Sequence, residues 1–366
     1  MSGASIESIR IGYVPLAMVR PMRTAMHETT HTHNALVEIH AEGLLGQGAS
    51  LALSAGQARA VCAAIEDLAV LLQGGDAGDV RGHWERMWPH LNLTGQSGIG
   101  VLALSALDTA LWDLLAQSAG LPLYRLLGGS RVELPVYAQP GWLSSPIEEV
   151  IDEALAFRDQ GYAHYKMRVG SKDWRADVQR VERVRDATGT DVALLVDANQ
   201  GWSAVEAMAA CRALDDLGLY WIEEPVDVSD VDGCSRVAAS IATPVAAGET
   251  VFGTAGMRPL IERHAASILM PDLQHCGGPT GWLKVATLAE IHGLPVSNHL
   301  FTQVSVHLMA ACANPLIVEL MPGWWDELFD RPLGIKNGSI RPPEEPGIGF
   351  RFSAAASSRL APIPKR

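Results

Sequence analysis

The segment from residue 192 to residue 225, VALLVDANQGWSAVEAMAACRALDDLGLYWIEEP, decides the fold. It opens on a short apolar run, Val192–Val196, and closes on another, Tyr220–Ile222. Between them, Ala204–Leu217 has apolar residues at the spacing of an amphipathic helix. Such an order is typical of a strand, a helix and a second strand that runs parallel to the first. We therefore interpret the segment as one βα unit followed by the strand of the next.

The same alternation continues on both sides of this segment, from about residue 134 to about residue 325. Amphipathic stretches separate short apolar runs that we interpret as strands: His164–Val169, Val192–Val196, Tyr220–Ile222, Val245–Ala247, Ser267–Met270, Pro295–Ser297 and Leu316–Val318. Parallel βα units repeated over nearly 200 residues favour a closed barrel over an open sheet. The sequence therefore predicts an α/β fold built on a TIM-type barrel.

The ends of the chain follow other patterns. Asn34–His40 alternates apolar and polar residues like a strand, and Gln57–Leu72 and Val101–Ala116 have helical spacing, which indicates an α+β unit. After Trp325 the alternation stops and a segment rich in proline and glycine follows. We predict an α+β domain over residues 1–130, a barrel over 131–325, and a C-terminal segment, 326–366, that packs back on the first domain.

Composition and charge exclude several classes of function. A net charge of −13 argues against a nucleic-acid or anionic-membrane surface, since both require a basic face. No signal peptide and no apolar run of membrane-spanning length is visible. The cysteines are five in number and scattered, which favours free thiols in the cytoplasm over disulfides or a zinc site. We expect a cytoplasmic protein with a small-molecule ligand, without nucleic-acid or membrane partners.

Each predicted strand ends in a polar residue that could take part in chemistry. The C-terminal ends of all strands in a parallel barrel meet at one mouth, where barrel active sites lie. A single charge after a strand is usually a solvated loop residue, but a set from consecutive strands is much harder to explain in that way. The set is Lys166, Arg168, Asp197, Asn199, Glu223, Glu249, Asp272, His299 and Glu319.

Three of these residues, Asp197, Glu223 and Glu249, are carboxylates from successive strands. Carboxylates that face one another in a partly dry pocket repel strongly unless a cation lies among them. Ligation by oxygen alone suits a hard divalent ion, and a site that keeps positions open for water and substrate suits Mg²⁺. Pairing of some of them with lysine or arginine is the simpler alternative.

Asp272 and His299 are one βα unit apart, so they should lie on neighbouring strands. A carboxylate bonded to one imidazole nitrogen fixes the tautomer and raises the basicity of the other nitrogen. We therefore predict His299 as a general base oriented by Asp272. Lys166 supplies a cation suited to an anionic substrate, and Glu319 follows the last strand.

With these residues laid out, the chain resembles the mandelate racemase subgroup of the enolase superfamily along nearly its whole length. The resemblance rests on Val14-Pro-Leu-Ala, Ala106-Leu-Asp-Thr-Ala-Leu-Trp-Asp, Leu126-Leu-Gly-Gly, Asp197-Ala-Asn, Trp221-Ile-Glu-Glu-Pro, Met270-Pro-Asp, Gly277-Gly-Pro-Thr-Gly-Trp and Ser297-Asn-His-Leu-Phe. It implies a modified (β/α)₇β barrel with an N-terminal α+β capping domain, Mg²⁺ on Asp197, Glu223 and Glu249, and a His299–Asp272 base dyad. It also implies a homo-oligomer, often an octamer.

The sequence departs from this subgroup on the second barrel strand. Racemases of the subgroup carry Lys-x-Lys there, and its second lysine is the base on the opposite face of the substrate; here the run is Lys166-Met-Arg168. A guanidinium stays protonated and is a poor proton acceptor. One base is sufficient for β-elimination, in which His299 removes the α-proton while the metal, Lys166 and Glu319 hold the enediolate. In this scheme Arg168 is a fixed cation, and Asn199 hydrogen-bonds a substrate hydroxyl.

The loop after the first strand bears on the substrate, because in this family it closes over the site. Here it contains Arg23, His27 and His31 among other polar residues, which we interpret as substrate-binding. A polar lid suits an aldonate or aldarate better than an aromatic 2-hydroxy acid. A solvated loop that touches nothing is the alternative, and the apolar Leu51-Ala-Leu53 shows that the pocket is not uniformly polar.

The sequence thus predicts a Mg²⁺-dependent acid-sugar dehydratase. An isomerase remains the first alternative, either a racemase or epimerase that uses Arg168 as its second base or a lactone cycloisomerase that needs only one. A non-catalytic metal-binding relative is the second alternative.

Overall fold

The N-terminal part of the chain folds into an antiparallel sheet covered by helices. The computed structural model describes residues 4–364. Three strands pair in sequence order: β1 (Ile6–Arg23), β2 (Glu28–Ala41) and β3 (Leu44–Ala52). The helices that follow are α1 (Ala55–Ala69), α2 (Val80–His90), α3 (Ile99–Ser118) and α4 (Leu123–Leu126).

Helix α3 lies at the centre of this part and packs on β3 and α1. A Cβ atom at Gly46 or Gly48 would overlap the backbone carbonyls of Ala110 or Ala106, so these glycines let helix and sheet approach closely. Among the described residues, α3 is the one helix long and apolar enough to span a membrane, and 72% of its apolar window is buried. It is therefore better explained as the core helix of this domain.

From residue 134 the chain forms a barrel of parallel strands alternating with helices. The strands are β4 (Leu134–Gly141), β5 (His164–Arg168), β6 (Ala193–Asp197), β7 (Trp221–Glu223), β8 (Val245–Ala247), β9 (Ile268–Leu269) and β10 (Val318–Leu320). The helices between them are α5 (Ile147–Asp159), α6 (Trp174–Thr188), α7 (Ala204–Asp215), α8 (Val231–Ala238), α9 (Gly253–Glu262), α10 (Pro279–Ile291) and α11 (Thr302–Ala311). Strands β4 to β9 pair in order, and β10 pairs with β4.

The barrel closes through a position that forms bridges but no regular strand. Sequence analysis placed a strand at Pro295–Ser297, and here only Val296 makes β-bridges, to Leu269 on one side and Pro315 on the other. These bridges join β9 to the segment before β10, and so supply the seventh of eight positions around the ring. The predicted fold class, a modified (β/α)₇β barrel with an α+β cap, is confirmed.

Local sequence explains where the helix of the βα unit in residues 192–225 begins. Ser203 accepts a hydrogen bond from the backbone N–H of Glu206, and the Glu206 carboxylate accepts one in return from the Ser203 N–H. This capping box starts α7 immediately after the polar turn that follows β6, and such a cap contributes about 1 kcal/mol. The buried residues Ala207, Cys211 and Leu214 then form the face of α7 that covers the barrel.

The C-terminal segment contacts both parts of the chain. Strands β11 (Ile335–Lys336) and β12 (Ser339–Ile340) form a hairpin on β4 of the barrel, whereas β13 (Ala361–Pro362), after α12 (Ala354–Ser357), pairs with β1. Arg351 also donates to the buried carboxylate of Asp113 in α3, at 3.0 Å. The division into residues 1–130, 131–325 and 326–366 stays a prediction.

Candidate active site

Three buried carboxylates meet at the C-terminal ends of β6, β7 and β8. Asp197 and Glu223 are the last residues of their strands and pair with each other across the sheet, and Glu249 follows β8 by two residues. One oxygen of each lies within 4.8 Å of the others. Oxygen donors at this separation suit a single hard divalent cation.

The electrostatics of these carboxylates point to the same conclusion. Burial, together with the charge of Asp197, raises the pKa of Glu223 well above its usual range, and burial raises the pKa of Glu249 to about 7. Burial also acts to raise the pKa of Asp197, but the cations Arg168 and Lys166 outweigh it and hold that pKa below its usual value. Carboxylates that resist ionisation side by side are stabilised by a cation placed among them. The donor set therefore fits Mg²⁺.

Lys166 lies beneath these carboxylates, with its side chain fully buried. Its Nζ is 2.9 Å from Glu223 Oε2, 3.2 Å from Glu319 Oε1 and 3.3 Å from Asp197 Oδ2. Burial acts to lower the pKa of Lys166, but the surrounding carboxylates raise it above its usual value. Lys166 is therefore a fixed cation and not a proton acceptor.

Arg168, two residues further along β5, is held equally firmly. Its guanidinium donates to Asp197 Oδ2 and to Gln139 Oε1, and it stacks 5.2 Å from the Trp142 ring. Burial opposes its charge, yet Asp197 and Glu223 outweigh burial, so the net shift of its pKa is upward. A guanidinium in this setting cannot act as a base at neutral pH.

His299 and Asp272 form the predicted pair. They face each other through a β-bridge, and His299 Nδ1 lies 2.8 Å from Asp272 Oδ2. Backbone N–H groups of Gln274 and His275 also donate to Asp272, each at 2.8 Å. Asp272 is thus held in place by backbone donors, and its Oδ2 favours a proton on His299 Nδ1, so that Nε2 is the nitrogen that faces the site.

The other ring nitrogen, His299 Nε2, lies 3.4 Å from Glu249 Oε2. Burial lowers the pKa of His299, but the charges of Glu249 and Glu319 and the hydrogen bond to Asp272 raise it further, to about 10. A cation that neutralises Glu249 would remove one of these contributions and bring the imidazole towards the range in which it accepts a proton.

Glu319, on β10, ties the base side of the site to the lysine. It accepts from Lys166 Nζ, from the Tyr137 hydroxyl at 2.9 Å, and from the Leu300 backbone N–H at 2.6 Å. Burial acts to raise its pKa, but Lys166 and His299 lower it, and the net shift is downward. Leu300 and Phe301 take left-handed backbone conformations just after His299, with φ of 49° and 48°. The Leu300–Glu319 bond helps to hold that turn.

A cavity of about 380 Å³ opens over these groups, between the barrel mouth and the capping residues. From the barrel it is lined by Gln139, Arg168, Asn199, Glu249, Thr250, Phe252, Gln274, His275, His299, Leu300, Met321 and Trp324. From the N-terminal part it is lined by Met22, Thr24, His27, Leu51, Ala52, Leu53, Gln57, Val61, Gly98, Ile99 and Leu102. The site is thus a pocket shared by both parts of the chain.

Two of the four predicted substrate-binding residues line the cavity, and the other two do not. Asn199 and His27 line the cavity, and within the described chain the buried Asn199 Oδ1 has no hydrogen-bond partner. Arg23, with a side chain 60% exposed and 3.9 Å from Glu28, and His31, which is exposed on β2, lie outside the lining. Their role in substrate binding stays a prediction.

The residues predicted to form one polar lid loop are not a single loop in the structure. Residues up to Arg23 belong to β1 and residues from Glu28 belong to β2, so the connecting turn is short. Thr24 Oγ1 accepts from the backbone N–H groups of Met26 and His27, which fixes that turn. Pairing between the two long strands therefore orders residues that were predicted, from their polar side chains, to form a loop.

Several polar residues of the cavity were not predicted from the sequence, and two of them contact the predicted site residues. Gln139 lies on β4, and the search for polar residues at strand ends began one strand later; applied to β4, the same rule finds it. His275 follows Asp272 by three residues, and its Nδ1 lies 2.5 Å from the Glu249 carbonyl oxygen. No spacing rule singles it out, because the turn after β9 brings it into the cavity.

Two family profiles match consecutive parts of this sequence. "Mandelate racemase / muconate lactonizing enzyme, N-terminal domain" matches residues 8–128, and "Enolase C-terminal domain-like" matches residues 149–356. The chain belongs to the mandelate racemase/muconate lactonizing enzyme family. The resemblance seen in the sequence motifs is thereby confirmed.

Several characterised members of the family are similar over nearly the whole chain. L-talarate/galactarate dehydratase of Salmonella typhimurium is 32% identical, over 97% of this chain and 91% of its own length. 3,6-Anhydro-alpha-L-galactonate cycloisomerase of Streptomyces coelicolor is 30% identical, over 94% and 99%. The structure of L-talarate dehydratase from Polaromonas sp. JS666, complexed with Mg and L-glucarate, has a TM-score of 0.92 and 34% identity, and the match covers 99% of each chain.

Proposed function

We propose that this family member is an acid-sugar dehydratase, which removes the proton beside a carboxylate and then eliminates water. The observation that carries the proposal is the asymmetry of the site. His299 with Asp272 is the competent base on one side, and Arg168, locked onto Asp197 and Gln139, takes the place of a second base. Dehydratases are also among the most similar relatives.

Proton abstraction falls to His299. Its Nε2 takes the Cα proton of a 2,3-dihydroxy acid, while Asp272 accepts from Nδ1–H and stabilises the imidazolium that forms. Orientation is secured because Asp272 is itself held by two backbone N–H groups. Positioned general-base catalysis of this kind contributes about 10²- to 10⁴-fold in rate.

When Cα loses its proton, the negative charge that develops moves onto the substrate carboxylate. The site contains cations that stabilise this charge. Asp197, Glu223 and Glu249 would hold Mg²⁺, which offsets charge on substrate oxygens when bound. Lys166 contributes a buried, permanently protonated ammonium, and Arg168 a fixed guanidinium. Because both are already ordered, no reorganisation is needed when the charge develops.

Elimination then breaks the Cβ–O bond. The electron pair left on Cα forms the C=C bond, hydroxide leaves from Cβ, and the proton now on His299 Nε2 neutralises it as water if both groups depart from one face. The remaining enol takes up a proton at Cβ, releases the proton of its C2 hydroxyl, and so becomes a 2-keto-3-deoxy acid. Asn199 Oδ1 can accept a hydrogen bond from a substrate hydroxyl during these steps.

A screen of aldonic and aldaric acids with Mg²⁺ in D₂O tests the proposal. We expect a 2-keto-3-deoxy acid from at least one of them, detected by NMR and by a keto-acid reagent. His299→Asn should abolish it, whereas His264→Asn, at an exposed site with φ of 52° that asparagine tolerates, should not. Deuterium at Cα with inversion and no keto acid would overturn the proposal in favour of an epimerase.

A lactone cycloisomerase is the second candidate, because it also needs one base and because a cycloisomerase is among the similar relatives. The same NMR experiment separates the two activities. A cycloisomerase opens or rearranges a ring without loss of water, so its product has the mass of the substrate, whereas the dehydratase product is lighter by one water.

We also propose that the chain forms a homo-oligomer in the cytoplasm. The family resemblance supports the assembly, and the scattered cysteines, all of them free thiols, support a reducing compartment. Light scattering of the purified protein measures the number of subunits.

A further inference from the structure

We propose that the substrate is a monocarboxylic acid whose far end is uncharged and apolar, such as a deoxyaldonic acid, and not a dicarboxylic aldarate. This inference rests on the proposed function, since it concerns the same cavity. It narrows the expectation of an aldonate or aldarate substrate that was drawn from the polar lid. The evidence is the distribution of charge between the two sides of that cavity.

All the fixed charge of the cavity lies on its barrel side, which we call the floor. Glu249, Arg168 and His299 line the floor, with Lys166 buried beneath them. One carboxylate of the substrate therefore has a place near the proposed metal ligands. Arg168 is already engaged with Asp197 and Gln139, so it is not free to leave the floor and pair with a second carboxylate.

The opposite side, which we call the roof, comes from the N-terminal part and is mainly apolar. It consists of side chains from β1, β3, α1 and α3 and from the segment after β3: Met22, Leu51, Leu53, Val61, Ile99 and Leu102. Contact with such a surface favours CH₂ and CH₃ groups, because burial of apolar area is favourable. A carboxylate buried there without a partner would instead lose its hydration.

The described roof residues include no charged group to pair with a second carboxylate. Among them, His27 is the one titratable group, and burial lowers its pKa, which keeps it neutral near pH 7. Thr24 and Gln57 are neutral; Thr24 Oγ1 accepts two backbone N–H groups of its own turn, and its hydroxyl hydrogen can still be donated. Such neutral donors can bind a substrate hydroxyl, but they supply no positive charge to offset the lost hydration of a buried carboxylate.

Arg23 is the residue that could contradict this conclusion. It follows Met22 directly, and a guanidinium turned into the cavity could bind a distal carboxylate. In the structure its side chain is 60% exposed and lies near Glu28, at 3.9 Å. An Arg23→Ala variant is therefore part of the binding experiment.

Binding of two inert acids measures the preference without any turnover. 2-Hydroxyhexanoate and 2-hydroxyadipate have equal chain length and lack a β-hydroxyl group, so neither can be dehydrated, and they differ only in a terminal methyl or carboxylate. Calorimetric titration of the Mg²⁺-loaded protein should give a Kd about tenfold or more lower for 2-hydroxyhexanoate, because its far end loses no charge solvation. Equal or tighter binding of 2-hydroxyadipate would overturn the proposal, and loss of that binding in Arg23→Ala would identify the cation responsible.

A cation placed on the roof should reverse the preference. Ile99→Lys is suited to this test because Ile99 lines the cavity yet is 41% exposed, and Leu53→Lys provides a second site. We expect either lysine to tighten 2-hydroxyadipate about tenfold and to weaken 2-hydroxyhexanoate, whereas Ile99→Met and Leu53→Met should leave the preference as it was. Unchanged selectivity in both lysine variants would overturn the assignment of the roof as the site of the far end.

The result is separable from the fate of the proposed function. If no acid gives a keto product but 2-hydroxyhexanoate still binds preferentially, the dehydratase proposal fails and the inference about the far end stands. If keto acid forms fastest from an aldarate, the dehydratase proposal stands and this inference fails.

Discussion

The floor and the roof of the cavity are built by different physical means. The floor places charged groups at the ends of parallel strands, where barrel geometry brings Lys166, Asp197 and Glu223 together and mutual hydrogen bonds fix them. The roof gathers apolar side chains from separate strands and helices of the N-terminal part and holds them by packing. The contrast indicates that the barrel performs the proton transfer while the cap selects the substrate.

The largest effect should come from removing the metal from the floor. Chelation followed by dialysis should reduce dehydration below detection, because the metal proposed for Asp197, Glu223 and Glu249 would no longer offset the charge on the substrate oxygens. Mg²⁺ should restore activity and raise the thermal unfolding midpoint, since binding at about 100 times Kd adds about 2.7 kcal/mol.

Substitution of a carboxylate tests whether the effect of chelation depends on the proposed metal ligands. Glu249→Gln should weaken Mg²⁺ binding and abolish activity, whereas Glu262→Gln, which breaks only an exposed pair with Arg258, should change neither. Full activity after exhaustive chelation would show that the floor needs no metal.

The next largest effect should come from the base. His299→Asn removes the proton acceptor, and we expect kcat to fall about 10³- to 10⁴-fold. Mg²⁺ should still bind this variant and raise its thermal midpoint, because His299 lies 3.4 Å from Glu249 but is not one of the three proposed metal ligands. A loss of less than tenfold in steady-state keto-acid formation would mean that another group takes the proton.

A smaller but more informative effect is expected at Arg168. Arg168→Lys cannot keep both the Asp197 and the Gln139 contacts, and the loss of charged hydrogen bonds worth about 2–3 kcal/mol should slow dehydration about 30- to 160-fold. A lysine at this position is also a potential second base, so Cα deuterium with inversion should appear in D₂O. Arg183→Lys, at an exposed site on α6, is the matched control. Unchanged dehydration without exchange would show that Arg168 has no role in orienting charge.

The floor was predictable from the sequence to a degree that the roof was not. Each floor residue predicted from the sequence lies within a few residues of the C-terminal end of a strand, and closure of the barrel then brings those ends to one mouth. Asp272 and His299 could be paired in this way before any coordinates were known, although Gln139 was missed because β4 was not searched.

The roof depends on tertiary contacts that no local pattern encodes. Leu51, Val61 and Ile99 belong to different elements, and each would pass for an ordinary core residue in its own strand or helix. The polar letters around His27 suggested a polar lid, but extended pairing of β1 with β2 orders most of them as strand and leaves few in the cavity. Composition of a segment was a poor guide because long-range pairing decides which side chains face inwards.

The smallest effect should come from the roof and should fall on substrate binding alone. Leu53→Ala removes apolar surface from a partly buried position, which we expect to cost about 1 kcal/mol of substrate binding and to raise KM roughly fivefold at unchanged kcat. Leu93→Ala, at a side chain that is 98% exposed, is the control and should leave both constants as they are. A fall in kcat at constant KM would show that Leu53 affects the chemical step. It would contradict the assignment of substrate selection to the roof and of proton transfer to the floor.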